Sequence, residues 1–154
     1  MLYLAIKYLH VLGAIVILGT GTGIAFFMLM AHRSRDVAFI ARTAEVVVIA
    51  DGLFTLSAVL LQPLTGGLLM WLSATSLTEG WMMTALALYA FAGLFWVPVV
   101  FMQKEMRDLA RAAVVANAPL PPRYFALFRS WFLCGIPGFS SVMAIVWLMV
   151  AKPF

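Results

Sequence analysis

Charged residues are scarce in this sequence. Lys, Arg, Asp and Glu make up 10% of its 154 residues, whereas hydrophobic residues make up 65%. Soluble domains contain about 25% charged residues, so this chain has too little polar material to cover a water-facing surface. The mean hydropathy of +1.06 therefore predicts that the lipid bilayer is the solvent and the first partner of the protein.

The sequence has a single cysteine and no GxGxxG nucleotide-binding motif. Cys134 is the single cysteine, which excludes an intramolecular disulfide and a paired-cysteine metal motif. The run GTGTG, Gly19 to Gly23, lacks the spacing GxGxxG and follows no strand, which excludes a dinucleotide-binding loop. No metal site is predicted.

Four long apolar stretches occupy most of the chain. A transmembrane helix needs about 20 mainly apolar residues. The stretches that qualify run roughly from Leu2 to Met30, Val46 to Leu72, Trp81 to Met102 and Phe125 to Ala151. The predicted fold is all-α, a polytopic membrane protein with one domain, residues 1–154, built as a four-transmembrane-helix bundle. The connections are predicted at His32 to Glu45, Ser73 to Gly80 and Gln103 to Tyr124. The third helix is expected to continue beyond the membrane through QKEMRDLARAA, which is rich in helix formers.

The basic residues lie mainly on one side of the predicted membrane. The first and third connections, with the start of the fourth span, contain Arg33, Arg35, Arg42, Lys104, Arg107, Arg111, Arg123 and Arg129. The opposite side has Lys7 and Lys152. This bias predicts that both termini lie on the non-cytoplasmic side. It also accounts for the net charge of +4 without a nucleic-acid partner.

Asp51 and Arg129 are charged residues inside apolar stretches. A charge within the hydrocarbon costs about 2.5–3.5 kcal/mol on insertion scales, so each is expected to have a partner. Helical rise places the two residues at similar depths, roughly 8 and 6 Å from the inner edge. We therefore predict a structural ion pair between Asp51 and Arg129. A proton-relay role for Asp51 is the functional alternative.

His10 is the candidate working histidine. It lies roughly 10 Å deep in the first span, where its ring nitrogens need partners. Three roles are open: a structural hydrogen bond to another helix, ligation of haem, and proton transfer. Lys7 lies one helical turn away on the same face, either as an interfacial anchor or in support of His10. His32 lies 22 residues further along the same helix, roughly 33 Å away, so the two histidines cannot ligate one haem within a protomer.

Gly19 and Gly23 form a GxxxG motif in the first span. Small residues at this spacing allow membrane helices to approach closely. The motif predicts helix packing, either inside the bundle or in a homo-oligomer or larger membrane complex.

Several segments resemble known families. KYLHVLGA near the start, DGLFTLSAVLLQPLTGGLLM in the second span and the closing VAKPF resemble a group of bacterial integral membrane proteins of unknown function. More distantly, the chain is similar to HemJ-type protoporphyrinogen oxidases and CopD-type membrane domains. The HemJ-type resemblance implies haem b, with His10 as the haem-linked histidine and Lys7 in support. The third span has Trp81 but lacks the histidine and lysine of the HemJ pattern, so the resemblance assigns no enzymatic activity.

Two functional hypotheses follow. The first is a bacterial inner-membrane protein that binds b-type haem through His10 and acts in redox or porphyrin handling. The second is a non-catalytic accessory or scaffold subunit that associates through the face of Gly19 and Gly23. A small transporter is a third class, since Asp51 and His10 provide part of a polar pathway.

Overall fold

The computed structural model describes residues 1–153, and this part of the chain is almost entirely helical. Phe154, the last residue of the predicted domain and of the VAKPF motif, lies outside the described residues. The helices are α1 Leu2–Ser34, α2 Val37–Ala50, α3 Leu56–Ser73, α4 Gly80–Val115 and α5 Pro122–Ala151. A π-helical turn, Asp51–Thr55, joins α2 to α3, so residues 37–73 form one continuous span. Within residues 1–153, four helical segments are thus long and apolar enough to cross a membrane.

The helices are longer than the apolar stretches of the sequence. The predicted connection from His32 to Glu45 is helical except for Arg35 and Asp36. Asp36 explains the early start of α2, because its side chain accepts hydrogen bonds from the backbone amides of Ala38 and Phe39, as a helix N-cap does. The expected continuation of the third helix is confirmed, since α4 extends to Val115.

The π-helical turn lies within the second span. The amide of Leu56 donates to the carbonyl of Asp51, five residues earlier, instead of the four of an α-helix. Such turns occur mostly as single insertions in α-helices and frequently at functional sites. Asp51 and Thr55, the first and last residues of this turn, are both buried.

Pro63 lies inside α3 and leaves one backbone carbonyl without its helical donor. Proline has no amide hydrogen, so the carbonyl four residues earlier, that of Val59, lacks an intrahelical bond. The hydroxyl of Tyr89 on α4 donates to this carbonyl. The bond connects α3 and α4 at the level where the proline opens the helix.

The helices form two pairs that are joined mainly at one end. We call the end near Arg35 and Asn117 the basic end, and the end near Leu2 and Ala151 the terminal end. α1 packs against α3 and α4 against α5, whereas α3 and α4 approach each other at few positions. The main core lies at the basic end, where Met28, Ile40, Met106 and Tyr124 are fully buried. Between this core and the terminal end, the two helix pairs enclose a cavity.

Candidate functional site

A cavity lies inside the bundle, between the two helix pairs. Its volume is about 570 Å³, and it is partly open to the surroundings. Its wall comes from α1, the π-helical turn, α3, α4 and α5 and is mainly apolar. Small-molecule sites commonly have volumes of about 300–1,000 Å³ and few polar groups. The polar side chains in the wall are those of Thr22, Asp51, Thr55, Tyr89, Trp96, Gln103, Trp131, Cys134 and Ser140.

Asp51 is the acidic residue in the wall, and it is only 5% exposed. The indole nitrogen of Trp96 donates to Asp51 Oδ1 at 3.4 Å, a long contact. The other carboxylate oxygen faces Gln103, which is 3% exposed. Both neighbours belong to α4, so the first residue of the π-helical turn is connected to the other helix pair.

Gln103 bridges Asp51 and Trp131. An amide side chain is oriented so that its nitrogen faces acceptors and its oxygen faces donors. In that orientation its nitrogen donates to Asp51 Oδ2 at 3.2 Å, and its oxygen accepts from the indole nitrogen of Trp131 at 3.1 Å. A chain of hydrogen bonds therefore runs from α5 through α4 to the π-helical turn. We call Asp51, Trp96, Gln103 and Trp131 the polar cluster.

Thr55 adds an unused polar group beside the polar cluster. It is 5% exposed, and its hydroxyl oxygen has no hydrogen-bond partner among the described residues. Buried polar side chains usually have a partner in the protein or in ordered water. Thr55 is also a residue of the cavity wall, so this enclosed hydroxyl lies close to the cavity.

The predicted ion pair between Asp51 and Arg129 does not form. Among residues 1–153 the ion pairs are Arg107 with Asp108, Arg111 with Glu45, and Arg123 with Glu105. Arg129 is exposed and lies beside His32 at the basic end. The depth argument failed because depth does not specify which face of a helix a residue occupies. On α5, the indole of Trp131 faces Gln103, whereas Arg129 lies on a different surface, with His32.

His10 lies outside the cavity, between α1 and α3. Its Nδ1 is 2.8 Å from the hydroxyl of Thr65, and its backbone carbonyl accepts from the amide of Gln62. The Thr65 hydroxyl is also within hydrogen-bond distance of the carbonyl of Leu61, and when it donates there it accepts from Nδ1–H of His10. In the neutral ring, Nε2 then carries the free lone pair.

The glycines beside His10 allow this close packing. A Cβ at Gly66 would lie 3.4 Å from His10 Cε1, and one at Gly13 would lie 2.7 Å from the amide nitrogen of Gln62. Thr65 and Gln62, both on α3, are thus the residues whose side chains bond to His10. Lys7 is exposed, with its ammonium 5.9 Å from the ring centre of Tyr3.

Gly19 and Gly23 do not pack against another helix in this protomer. A Cβ at Gly19 would meet nothing within 4 Å, and one at Gly23 would meet only Phe27 of the same helix. Packing inside the bundle, one of the two uses predicted for the motif, is therefore not its use here.

A family model described as "Predicted integral membrane protein (DUF2269)" matches residues 4–153. The chain belongs to the DUF2269 family. No curated protein and no solved structure matches it. The membership agrees with the four apolar helical spans and with the predicted resemblance to integral membrane proteins of unknown function.

The polar cluster of this DUF2269 protein was only partly visible in its sequence. Asp51 was found because it is a charge in an apolar stretch. The sequence pattern places Gln103 in a connection, because it is the first polar residue after the third apolar stretch. Trp96 and Trp131 resemble the other aromatic residues of their spans. The helical pattern that extends through QKEMRDLARAA is the feature that indicates a buried Gln103, because α4 continues as a helix beyond this residue and turns its side chain toward the bundle.

Proposed function

We propose that this protein binds a lipid-soluble amine in its intramembrane cavity and that Asp51 binds the amino group. One observation carries the proposal. Asp51 is a buried acidic side chain that accepts hydrogen bonds from Trp96 and Gln103, and it has no cationic partner among residues 1–153. Buried charges are normally paired. A protonated amine would supply the positive charge, and the apolar wall would cover its hydrocarbon part.

The arrangement of the polar cluster also supports an amine. A carboxylate has about four acceptor positions, and Trp96 and Gln103 occupy two of them. The remaining positions offer acceptors to an ammonium group. Gln103 and Trp131 hold the carboxylate in place, which lowers the cost of ordering the site when the ligand binds.

The proposal is tested by comparing three probes of equal chain length. The protein is placed in lipid nanodiscs, and equilibrium binding of radiolabelled dodecylamine, dodecanol and dodecanoate is measured against empty nanodiscs. We expect the amine to bind most tightly and the carboxylate most weakly. Asp51→Asn should weaken amine binding at least about tenfold, because a hydrogen bond to a charged group contributes about 1.5–3 kcal/mol.

A pair of glycine variants separates the cavity from the outer surface of the bundle. A Cβ at Gly93 or at Gly67 would meet nothing within 4 Å, but only Gly93 lines the cavity. Gly93→Leu should reduce binding of all three probes, whereas Gly67→Leu should leave it unchanged. Equal binding of the three probes, or an unchanged preference in Asp51→Asn, would contradict the proposal.

Haem binding through His10 is a second candidate, and one observation favours it. With the Thr65 hydroxyl as acceptor for Nδ1–H, Nε2 carries the lone pair, and metal-bound histidines commonly donate their other nitrogen in this way. Haem b would supply electron transfer or porphyrin chemistry, in agreement with the HemJ-type resemblance. His10 does not line the cavity, so this candidate concerns a different part of the bundle. His32, on the same helix α1, is too distant to provide a second axial nitrogen.

Absorption spectroscopy tests the haem candidate. The protein is purified in mild detergent from cells grown with added haem precursor, and spectra are recorded before and after dithionite. Haem ligation predicts a Soret band that His10→Ala removes and Lys7→Ala retains. A colourless preparation would rule out this candidate and leave amine binding unaffected.

Association through Gly19 and Gly23 is the proposed role in assembly. The open surface at both glycines supports a contact with a second copy or with another membrane subunit. In detergent, light scattering should show that Gly19→Ile with Gly23→Ile lowers the oligomeric mass. The control Gly52→Ile, also at an open glycine, should not. This role would be contradicted if the wild-type protein were a monomer in detergent and also carried no other subunit after mild purification from its membrane.

We further propose that the protein lies in the bacterial inner membrane with its basic end toward the cytoplasm. The support is the concentration of arginines at the basic end.

A further inference from the structure

A second concave surface lies at the basic end, between the end of α1 and the start of α5. Its volume is about 410 Å³, and its lining includes Leu29, His32, Phe125, Phe128, Arg129 and Phe132. We call it the aromatic groove. It is independent of the polar cluster, because none of the four residues of that cluster lines it.

Arg129 brings an uncompensated positive charge to the aromatic groove. It forms no ion pair among residues 1–153. The acidic residues of the basic end have other partners: Glu45, Glu105 and Asp108 pair with other arginines, and Asp36 caps α2. An anion from outside the chain would therefore complement the charge of Arg129.

His32 provides a second donor beside Arg129. Its ring stacks on that of Phe128, with the ring centres 3.7 Å apart and the planes at 5°. Its Nδ1 is buried without a partner, and a buried N–H without an acceptor is rarer than a buried acceptor without a donor. Because Nδ1 is enclosed, Nε2 is the ring nitrogen left to contact a ligand, and it is a donor when it carries the proton.

We propose that the aromatic groove binds an anionic phospholipid, with its phosphate against Arg129 and His32 and an acyl chain along the apolar wall. Basic pockets between membrane helices are known to bind anionic lipid headgroups. Leu29 and Phe132 line both the aromatic groove and the cavity. The apolar wall thus continues from the headgroup position into the bundle, and a free phosphate would leave it uncovered.

Lipid titrations of the full chain test this proposal. The protein in detergent is titrated with phosphatidylglycerol and phosphatidylcholine that carry the same fluorescent acyl chain. We expect phosphatidylglycerol to bind at least about fivefold more tightly. Arg129→Gln should weaken its binding about fivefold, since one arginine contributes about 1 kcal/mol to binding an anionic lipid.

Arg42→Gln is the matched control. Arg42 is an exposed arginine at the same end, forms no ion pair in residues 1–153 and does not line the aromatic groove. It should retain wild-type binding, and Arg129→Lys should retain most of the preference. If Arg129→Gln does not fold, the proposal is tested by comparing the binding of the two lipids to the wild type and to Arg129→Lys.

Three results would overturn the proposal. The first is equal binding of the two lipids by the wild type. The second is equal loss in Arg129→Gln and Arg42→Gln, which would indicate a diffuse charge effect. The third is competition by glycerol 3-phosphate as effective as that by the lipid, which would indicate a site for small anions.

Discussion

His10 shows how a single polar side chain is accommodated in an apolar helix. Its ring bonds to Thr65 on α3 and its backbone carbonyl to Gln62. Gly13 and Gly66 give these groups the space to meet. The sequence predicted a structural hydrogen bond as one of three roles for His10. It could not identify Thr65 as the partner, because depth and residue type leave the facing direction of each helix open.

Thr65→Val tests the contribution of this bond. The change keeps the side-chain volume but removes the acceptor for His10 Nδ1, so we expect the free energy of unfolding to fall by about 1–2 kcal/mol. The measurement is unfolding of the detergent-solubilised protein followed by circular dichroism. Thr22→Val is the control, because that exposed hydroxyl bonds only to the Leu18 carbonyl of its own helix. Equal losses in the two variants would mean that the contact between helices adds nothing.

Gln103 is a buried polar residue whose position the residue pattern does not predict. It is the first polar residue after an apolar stretch, which is typical of a helix leaving the membrane. In the structure it is buried and bridges two helices. We expect Gln103→Leu to lower the free energy of unfolding by about 2–3 kcal/mol, because Asp51 and Trp131 both lose a partner. Lys104→Leu, at the exposed neighbouring position, should change it little. Unfolding of both variants in detergent provides the comparison.

At the scale of the elements, α2 and α3 behave as one span interrupted by two local features. The π-helical turn brings Asp51 and Thr55 to the cavity, and Pro63 releases the Val59 carbonyl. Apolar length predicted the span, and the helical pattern predicted the extension of α4. Neither could predict the π-helical turn, because DGLFT has the composition of an ordinary helical segment with one glycine.

A double-mutant cycle tests the link between Pro63 and Tyr89. Tyr89→Phe should cost about 1–2 kcal/mol, because the Val59 carbonyl loses the hydroxyl donor from α4 in the apolar interior. In the background of Pro63→Ala this cost should fall toward zero, since the amide at position 63 can then donate to Val59. Unfolding in detergent gives the four free energies. Tyr8→Phe, at an exposed tyrosine, is the control. Additive effects in the cycle would contradict the proposed replacement of one donor by the other.

At the scale of the whole molecule, the two helix pairs share a well-packed core only at the basic end. A smaller cluster of Trp81, Met82, Ala85 and Leu148 holds α4 to α5 at the terminal end. The fold class and the four spans were predictable from apolar length alone. The cavity was not, because it results from how far the pairs stand apart, and that distance depends on side-chain packing.

The orientation of the bundle gives a prediction for the intact protein. Because the arginines are concentrated at the basic end, we expect both termini to face the periplasm when the chain is expressed in a bacterial inner membrane. Alkaline phosphatase fused after Pro153 should be active, and a fusion at Asn117 inactive. Reversal of the two activities would refute the orientation. Comparable activity at both positions would indicate dual insertion.

The π-helical turn also affects how relatives should be aligned. A turn of this kind holds one residue more than the α-helical turn it replaces. A DUF2269 relative that lacks one residue between positions 51 and 55 can therefore keep the faces of α2 and α3 in register. A one-residue gap there would mark the loss of the segment that presents the acid to the cavity, and moving the gap to a neighbouring loop would hide that difference.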